Sequence, residues 1–307
     1  SGVVEATGYL ARGAVIADKP LSFMGLNGRC FVPLLSGFAC AIPAMMATRN
    51  IQQSAIKRLC CFLIPLMQCS ARLPVYGLLL ALLFGKNFFL SSLLMIAIYL
   101  GSLIIAAIVA LIITRSSTQV TNTRFTIELP KWRAPHWAGI FTQAMIKTKS
   151  FITGAGPIIM FVSVLFWLLS TYPNEEMSYA MMIGQFIEPI FAPMGVDWRV
   201  GVAILLSFVA REVFVSALVV LFSANSGESM VSLLKTATFQ GSDVLIFNTP
   251  SIVSLILFFM IALQCGATFA MARSEMKSTK LATIQLVSYI GGAYVLSVLV
   301  FQLLQFF

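Results

Sequence analysis

From Phe88 to Thr114 the chain runs for 27 residues without a single charge, "FFLSSLLMIAIYLGSLIIAAIVALIIT". A segment that crosses a bilayer must satisfy all of its backbone polar groups internally. As a helix it needs about 20 mainly apolar residues to do so. Comparable runs extend over Leu59–Phe84, Phe151–Ser170, Val200–Phe222, Ser251–Ala272 and Thr283–Phe307, and a shorter one, with Pro33 and Pro43, over Phe31–Ala47. Five or six crossings plus one or two short or broken segments follow. The predicted fold class is all-α, a polytopic helical membrane protein with broken or re-entrant helices. Composition agrees: 59% of the 307 residues are hydrophobic and 10% charged, against about 25% charged in soluble proteins. Such a chain cannot cover itself with polar surface in water.

The net charge of +9 sits in short loops between the apolar runs. That is the pattern of cytoplasmic loops in a membrane protein, not of a nucleic-acid binder. The loop from Arg115 to Ser150 holds Arg115, Arg124, Lys131, Arg133, Lys147 and Lys149 against Glu128 alone, with Trp132 and Trp137 for its membrane-proximal part, and is expected inside. Arg49, Lys57 and Arg58 place the loop before Leu59 inside as well. The loop from Thr171 to Trp198, with Glu175, Glu176, Glu188 and Asp197, is expected outside. If Val200–Phe222 is one full span, Arg273, Lys277 and Lys280 end up outside. Either the charge rule fails there or one segment does not fully cross.

"MGLNGRCFVPLLSGF" (Met24–Phe38) recurs as "MGVDWRVGVAILLSF" (Met194–Phe208) at a constant offset of 170. Met, Gly, a short aliphatic, Asn or Asp, and Arg hold register. Chance similarity between apolar stretches is the competing reading, and the polar positions weigh against it. Internal repeats of this kind are frequent in transporters.

Three segments place polar chemistry at membrane depth. In "GFACAIPAMMATR" Cys40 precedes Pro43, which is expected to free the carbonyl of Ala39. A kinked packing helix with a buried cysteine is the alternative. In "CSARLPVYG" Cys69 and Ser70 precede Arg72 and Pro74, and Pro74 is expected to free the carbonyl of Ser70. A charge there costs roughly 2.5–3.5 kcal/mol on insertion scales, so Arg72 must face a partner, a cavity or an interface. In "FVAREVFVSAL" Arg211 and Glu212 are adjacent and therefore cannot face one another on a helix. They are gating candidates, or members of a structural ion pair. Cys265 in "LQCGAT", followed by Gly266 and Thr268, is a further candidate.

Thiols with backbone or hydroxyl oxygens suit borderline-to-soft transition metals such as Cu(I), Zn and iron. His136, the one histidine, lies in a polar loop, so an imidazole-rich site is excluded. The six cysteines contain no CxxC pair, which removes zinc-ribbon and thioredoxin-type readings.

With "ATGYLAR", "GLNGRCFVPLLSGFACAIPAMMATR", "CSARLPVYGL", "IELPKWRAP", "KSFITGAGPII", "FIEPIFAPMGVDWRVGVAILLSFVAREVFVSAL" and "CGAT" in this order, the chain resembles the membrane domain of the FeoB-type ferrous iron transporters of bacteria. The resemblance implies two Gate-type repeats and passage of Fe2+ across the cytoplasmic (inner) membrane, with Cys40, Cys69 and Cys265 on the family's pathway. Ser70, Arg72, Arg211, Glu212 and Thr268 are the accompanying pathway or gating candidates, and Pro43 and Pro74 the helix breaks. The implied division is the end of a first repeat at 1–58, a broken helix and span at 59–114, the basic loop at 115–150, a second repeat at 151–222 and C-terminal helices at 223–307. The family usually has glycine and asparagine where Ala39 and Ala41 stand. It also carries a GTP-binding domain, whereas this sequence shows no GxxxxGK[ST] loop. GTP and Mg2+ are thus expected only through a G domain not in this chain, which reads as a C-terminal fragment or one part of a split protein. Small cytoplasmic accessory subunits and a homo-oligomer are further implied partners, beside membrane lipid.

An organic-solute carrier of nucleoside type is the nearest alternative, since Gate-type domains resemble parts of nucleoside carriers. A non-transporting scaffold that docks a G protein through the basic loop is another. An enzyme is least favoured: neither HExxH nor G-x-S-x-G is present.

Overall fold

The computed structural model describes residues 9–85, 87–116, 172–174, 177–209, 211–222, 230–238, 245–263 and 265–306, together with scattered positions between 138 and 169. Most of the basic loop (Arg124, Glu128, Lys131, Trp132, Arg133, His136, Trp137, Lys147), most of Phe151–Ser170, and Glu175 and Glu176 lie outside the described residues.

The described chain is helical apart from a two-residue antiparallel pairing of Pro173–Asn174 with Met177–Ser178. Its helices are α1 (Tyr9–Phe23), α2 (Phe31–Gly37), α3 (Ala41–Ala47), α4 (Ser54–Leu63), α5 (Leu73–Phe84), α6 (Phe88–Ser116), α7 (Tyr179–Phe191), α8 (Trp198–Leu206), α9 (Val213–Phe222), α10 (Met230–Thr236), α11 (Thr249–Ile261), α12 (Gly266–Met276) and α13 (Thr279–Phe306). Four stretches are long and apolar enough to cross a membrane: Ser54–Phe84, Phe88–Arg115, Thr249–Met276 and Thr279–Phe306. On α6 the exposed side chains Ile96, Leu100, Ile104, Ile108 and Ile112 recur every four residues, while Ile98, Ser102, Ala106 and Ala110 are buried on the other side. Apolar side chains presented outward in this way require lipid as their solvent. The protein is a multi-pass helical protein of the inner membrane.

Two compact units divide the chain. The first comprises 1–70, 101–158 and 267–285, the second 71–100, 159–266 and 286–307. The first is built around Leu26, Cys30, Ala44, Met45, Cys60, Cys61 and Ile64; the second around Val75, Tyr76, Met194, Ile204, Phe214, Leu255 and Phe259, with the Phe214 and Phe259 rings edge to face at 4.6 Å.

Each unit contains one copy of the 170-residue repeat, and the two copies have the same local backbone. Tyr9 and Tyr179 begin the first helix of each. Gly25 and Gly195 both occupy the left-handed region, at φ +75° and +72°. Asn27 and Asp197 are both extended and precede the next helical turn. A second helix follows in each copy, α2 or α8, then a break, then α3 or α9. The glycines are required on two counts. Their φ is one that side chains resist, and a Cβ would collide with Thr114 at Gly25 and with Phe301 at Gly195.

The run Val200–Phe222, read from the sequence as one possible span, is corrected. It is two pieces, α8 of 9 residues and α9 of 10, each about 15 Å long against about 30 Å of hydrocarbon. The helical stretch Met181–Met194 is moreover bent by 98° against α8. The basic cluster after α12 is relocated too. Glu275 accepts hydrogen bonds from Arg49 Nε at 2.6 Å and Lys57 Nζ at 3.1 Å. The Arg273–Lys280 stretch therefore shares a side of the membrane with Arg49, Lys57 and Arg58. That is the cytoplasmic side by the charge rule, and the stretch between Thr171 and Ser251 makes no net crossing.

Candidate functional site

In the first unit, α2 ends at Gly37 and α3 starts at Ala41, so Cys40 stands at the break as the residue before a helix, extended at φ −159° and ψ 136°. Pro43 was expected to interrupt a helix. It lies instead in the first turn of α3, where backbone N–H groups have no intrahelical acceptor and proline is tolerated. The break lies just upstream. The carbonyl of Ala39, outside either helix, accepts a hydrogen bond from Ser70 Oγ at 3.1 Å. Ser70 follows Cys69, which lies in the gap between the turn Ile64–Leu66 and the turn Ser70–Arg72. One hydrogen bond thus links the two thiol-bearing breaks. Cys40 and Cys69 are half-buried and Ser70 exposed. Pro74 is likewise the second residue of α5, a helix start and not an interruption.

The helix leading into the Cys69 break, α4, is anchored at its C-terminal end. Gln285, fully buried, donates to the carbonyls of Cys61 and Phe62 at 3.2 and 3.1 Å. These are among the last carbonyls of α4, which have no intrahelical donor. Thr48 bonds the carbonyl of Met45 and meets the Cys61 thiol at 3.3 Å. Cys30, Cys60 and Cys61 are buried in this core and serve packing.

In the second unit, α11 ends at Ile261, and Ala262 turns the chain out of the helix at φ −59°, ψ 137°. Cys265, half-buried, lies in the gap before α12. The buried Arg72 donates from Nη1 to the carbonyl of Met260 at 3.0 Å and from Nη2 to that of Ala262 at 3.4 Å. Arg211, 6% exposed, donates from Nη2 to the same Ala262 carbonyl at 3.2 Å. At the far end of the gap, Gly266 N donates to the carbonyl of Phe208 at 2.7 Å. Phe208 lies in the break between α8 and α9. Arg72 therefore does face a partner, the C-terminal carbonyls of a helix, whose partial negative charge favours cations.

Arg211 and Glu212 go separate ways. Glu212 is exposed and makes no ion pair among the described residues. Thr268 is buried in the first turn of α12. Among the described residues no three His, Cys, Asp or Glu side chains converge as a metal-holding group. The donors on offer at the breaks are single thiols beside hydroxyl and carbonyl oxygen. Two elements went unrecognised in the sequence. One is the Arg49–Glu275–Lys57 cluster, formed across more than 200 residues of chain, for which no local signal exists. The other is Gln285, whose amide inside an apolar run was the available clue.

The family model described as Nucleoside recognition (Gate) matches residues 1–83 and 152–279. That described as Ferrous iron transport protein B C terminus matches 95–147. Relatives named Fe(2+) transporter FeoB include one from Leptospira biflexa, 36% identical over 98% of this chain and 46% of its own length. A second, from Leptospira interrogans, is 34% identical over 100% and 47%, and a third, from Staphylococcus aureus, 30% identical over 98% and 44%. The chain spans about half the length of the curated relatives it matches. No solved structure matches it. With a Gate match over most of its residues and these relatives along its whole length, the chain belongs to the FeoB family, and corresponds to that family's C-terminal membrane part.

Proposed function

We propose that this chain forms the membrane path for ferrous iron, with Cys40, Cys69 and Ser70 lining it in the first unit and Cys265 in the second. The observation that carries the reading is the Ser70–Ala39 hydrogen bond, which joins two half-buried thiols' segments at two helix breaks. Relatives of this chain are named for Fe(2+) transport. Thiol and neutral oxygen suit a borderline divalent cation. Few ligands at each point suit an ion that must leave as readily as it enters. Transport, not catalysis, is the activity. GTP and Mg2+ act through a G domain outside this chain, and accessory subunits and self-association belong to the assembled transporter.

The test is uptake of radiolabelled Fe2+ by cells carrying Cys40→Ser, Cys69→Ser and Cys265→Ser together in the intact transporter. Uptake is expected to fall to background with expression retained. Normal uptake would falsify the thiol path. The matching family's description, Nucleoside recognition, keeps a nucleoside carrier as the second reading. It predicts that excess nucleoside, not Mn2+ or Co2+, competes for uptake in vesicles.

A further inference from the structure

The four-residue gap 262–265 is held at both ends by groups from elsewhere in its unit. Helix α11 leaves its last carbonyls without intrahelical donors, and at membrane depth each unpaired carbonyl costs several kcal/mol. A hydroxyl or water could supply one donor. This chain uses two arginines that are 139 residues apart in sequence. Arg72 bridges Met260 and Ala262 with its two terminal nitrogens, which a single-headed lysine cannot do. Arg211 adds a second donor to Ala262. The carbonyl of Ala262 thus receives both guanidinium groups at the point where the chain leaves the helix. Beyond the gap, Gly266 N is fixed to Phe208 O, and Phe208 stands only three positions before Arg211. The break between α8 and α9 therefore contacts the gap at both ends, once by main chain and once by the Arg211 side chain.

We propose that Arg72 and Arg211 are positioning residues for Cys265. By fixing the exit of the chain from α11 they fix the place of the thiol, so that the break between α8 and α9 and the Cys265 gap behave as one element. The guanidinium groups also occupy the carbonyls that would otherwise give a cation a tight oxygen cage beside the thiol, leaving Cys265 as the exposed donor. The functional consequence rests on Cys265 lining the iron path; the positioning itself does not.

The experiment is peptide-resolved alkylation by N-ethylmaleimide in membranes of cells expressing the intact protein. It follows Cys265, Cys40 and Cys69 in the same molecules, so that Cys40 and Cys69 report any general loosening. Arg72→Gln and Arg211→Gln are expected to change the rate at Cys265 about fivefold or more, the equivalent of one ordinary hydrogen bond, while Cys40 and Cys69 hold their rates. Arg211→Lys, which keeps one donor, is expected to stay near the parent rate, and Arg72→Lys, which loses the bridge, to fall between. Size-exclusion profiles in detergent identify variants that do not fold, and the lysine variants then carry the comparison. A Cys265 rate unmoved in every folded variant, or all three thiols shifting together, overturns the proposal. Iron uptake by Cys265→Ser separates the two claims. If that variant transports normally while the arginine variants still alter Cys265 reactivity, positioning stands and the path reading falls. If Cys265→Ser is inactive and the arginine variants leave its reactivity unchanged, the path stands and positioning falls.

Discussion

At the scale of the residue, the hydroxyl of Ser70 is the smallest group with a large assigned role. It is exposed and donates to the carbonyl of Ala39. Ser70→Ala removes a bond worth about 1 kcal/mol net, and the freed carbonyl is then open to solvent or ion. Fe2+ uptake is expected to drop severalfold with little loss of thermal stability, and Ser70→Thr to restore it. An Ala variant that transports like the parent would sever the link drawn between the Cys40 and Cys69 breaks. Glu212 offers a second residue-scale prediction. It lies beside Arg211 yet is exposed and outside any ion pair among the described residues, so a structural pairing does not explain it. Glu212→Gln is expected to lose transport while keeping expression. Collapsed expression would instead return it to a structural role.

At the scale of the element, what decides the fold is where helices stop. The apolar runs gave the long helices directly, because hydrophobic length is a local property. The interruptions were only half legible. Cys40, Cys69, Arg72 and Arg211 marked their neighbourhoods, but both prolines turned out to start helices, because a missing N–H is harmless in a first turn. The partners of the arginines, the carbonyls of Met260 and Ala262, are backbone groups and carry no side-chain signature. The repeat was legible from its polar positions, and the structure adds that its glycines are conformational requirements. Gly195→Ala is expected to destabilise the protein by at least about 1–2 kcal/mol, since a left-handed residue bearing a Cβ costs that much before any clash and Phe301 stands in the way. Gly77 gives the opposite sign. It lies inside α5, and a Cβ added to it would meet nothing within 4 Å, so Gly77→Ala is expected to stabilise by about 0.5–1 kcal/mol. Melting temperatures in detergent measure both, and equal shifts would refute the conformational argument.

At the scale of the whole molecule, the Glu275 cluster decides the topology of the C-terminal third. Glu275 has a side-chain exposure of 5%, whereas its partners Arg49 and Lys57 retain 57% and 21%. A carboxylate so enclosed needs its cations, but the exposure of Arg49 limits what the pair contributes, to about 1–2 kcal/mol. The greater consequence is geometric. Arg49 and Lys57 flank the start of α4, and Glu275 lies in the last turn of α12, so the loop Lys277–Lys280 must open on the same face as the Arg49–Arg58 loop. A cysteine placed at Ser278 is therefore expected to react with a membrane-impermeant maleimide in inside-out vesicles and to be protected in right-side-out ones. A cysteine at Asn50 should behave the same way, and one at Asn174, in the acidic loop, the opposite way. If Ser278→Cys labels with Asn174→Cys, then Val200–Phe222 crosses after all and the Glu275 contacts are wrong. Labelling with Asn50→Cys leaves an even number of crossings between Thr171 and Ser251, which the two short pieces α8 and α9 and the 98° bend before them satisfy without a further span.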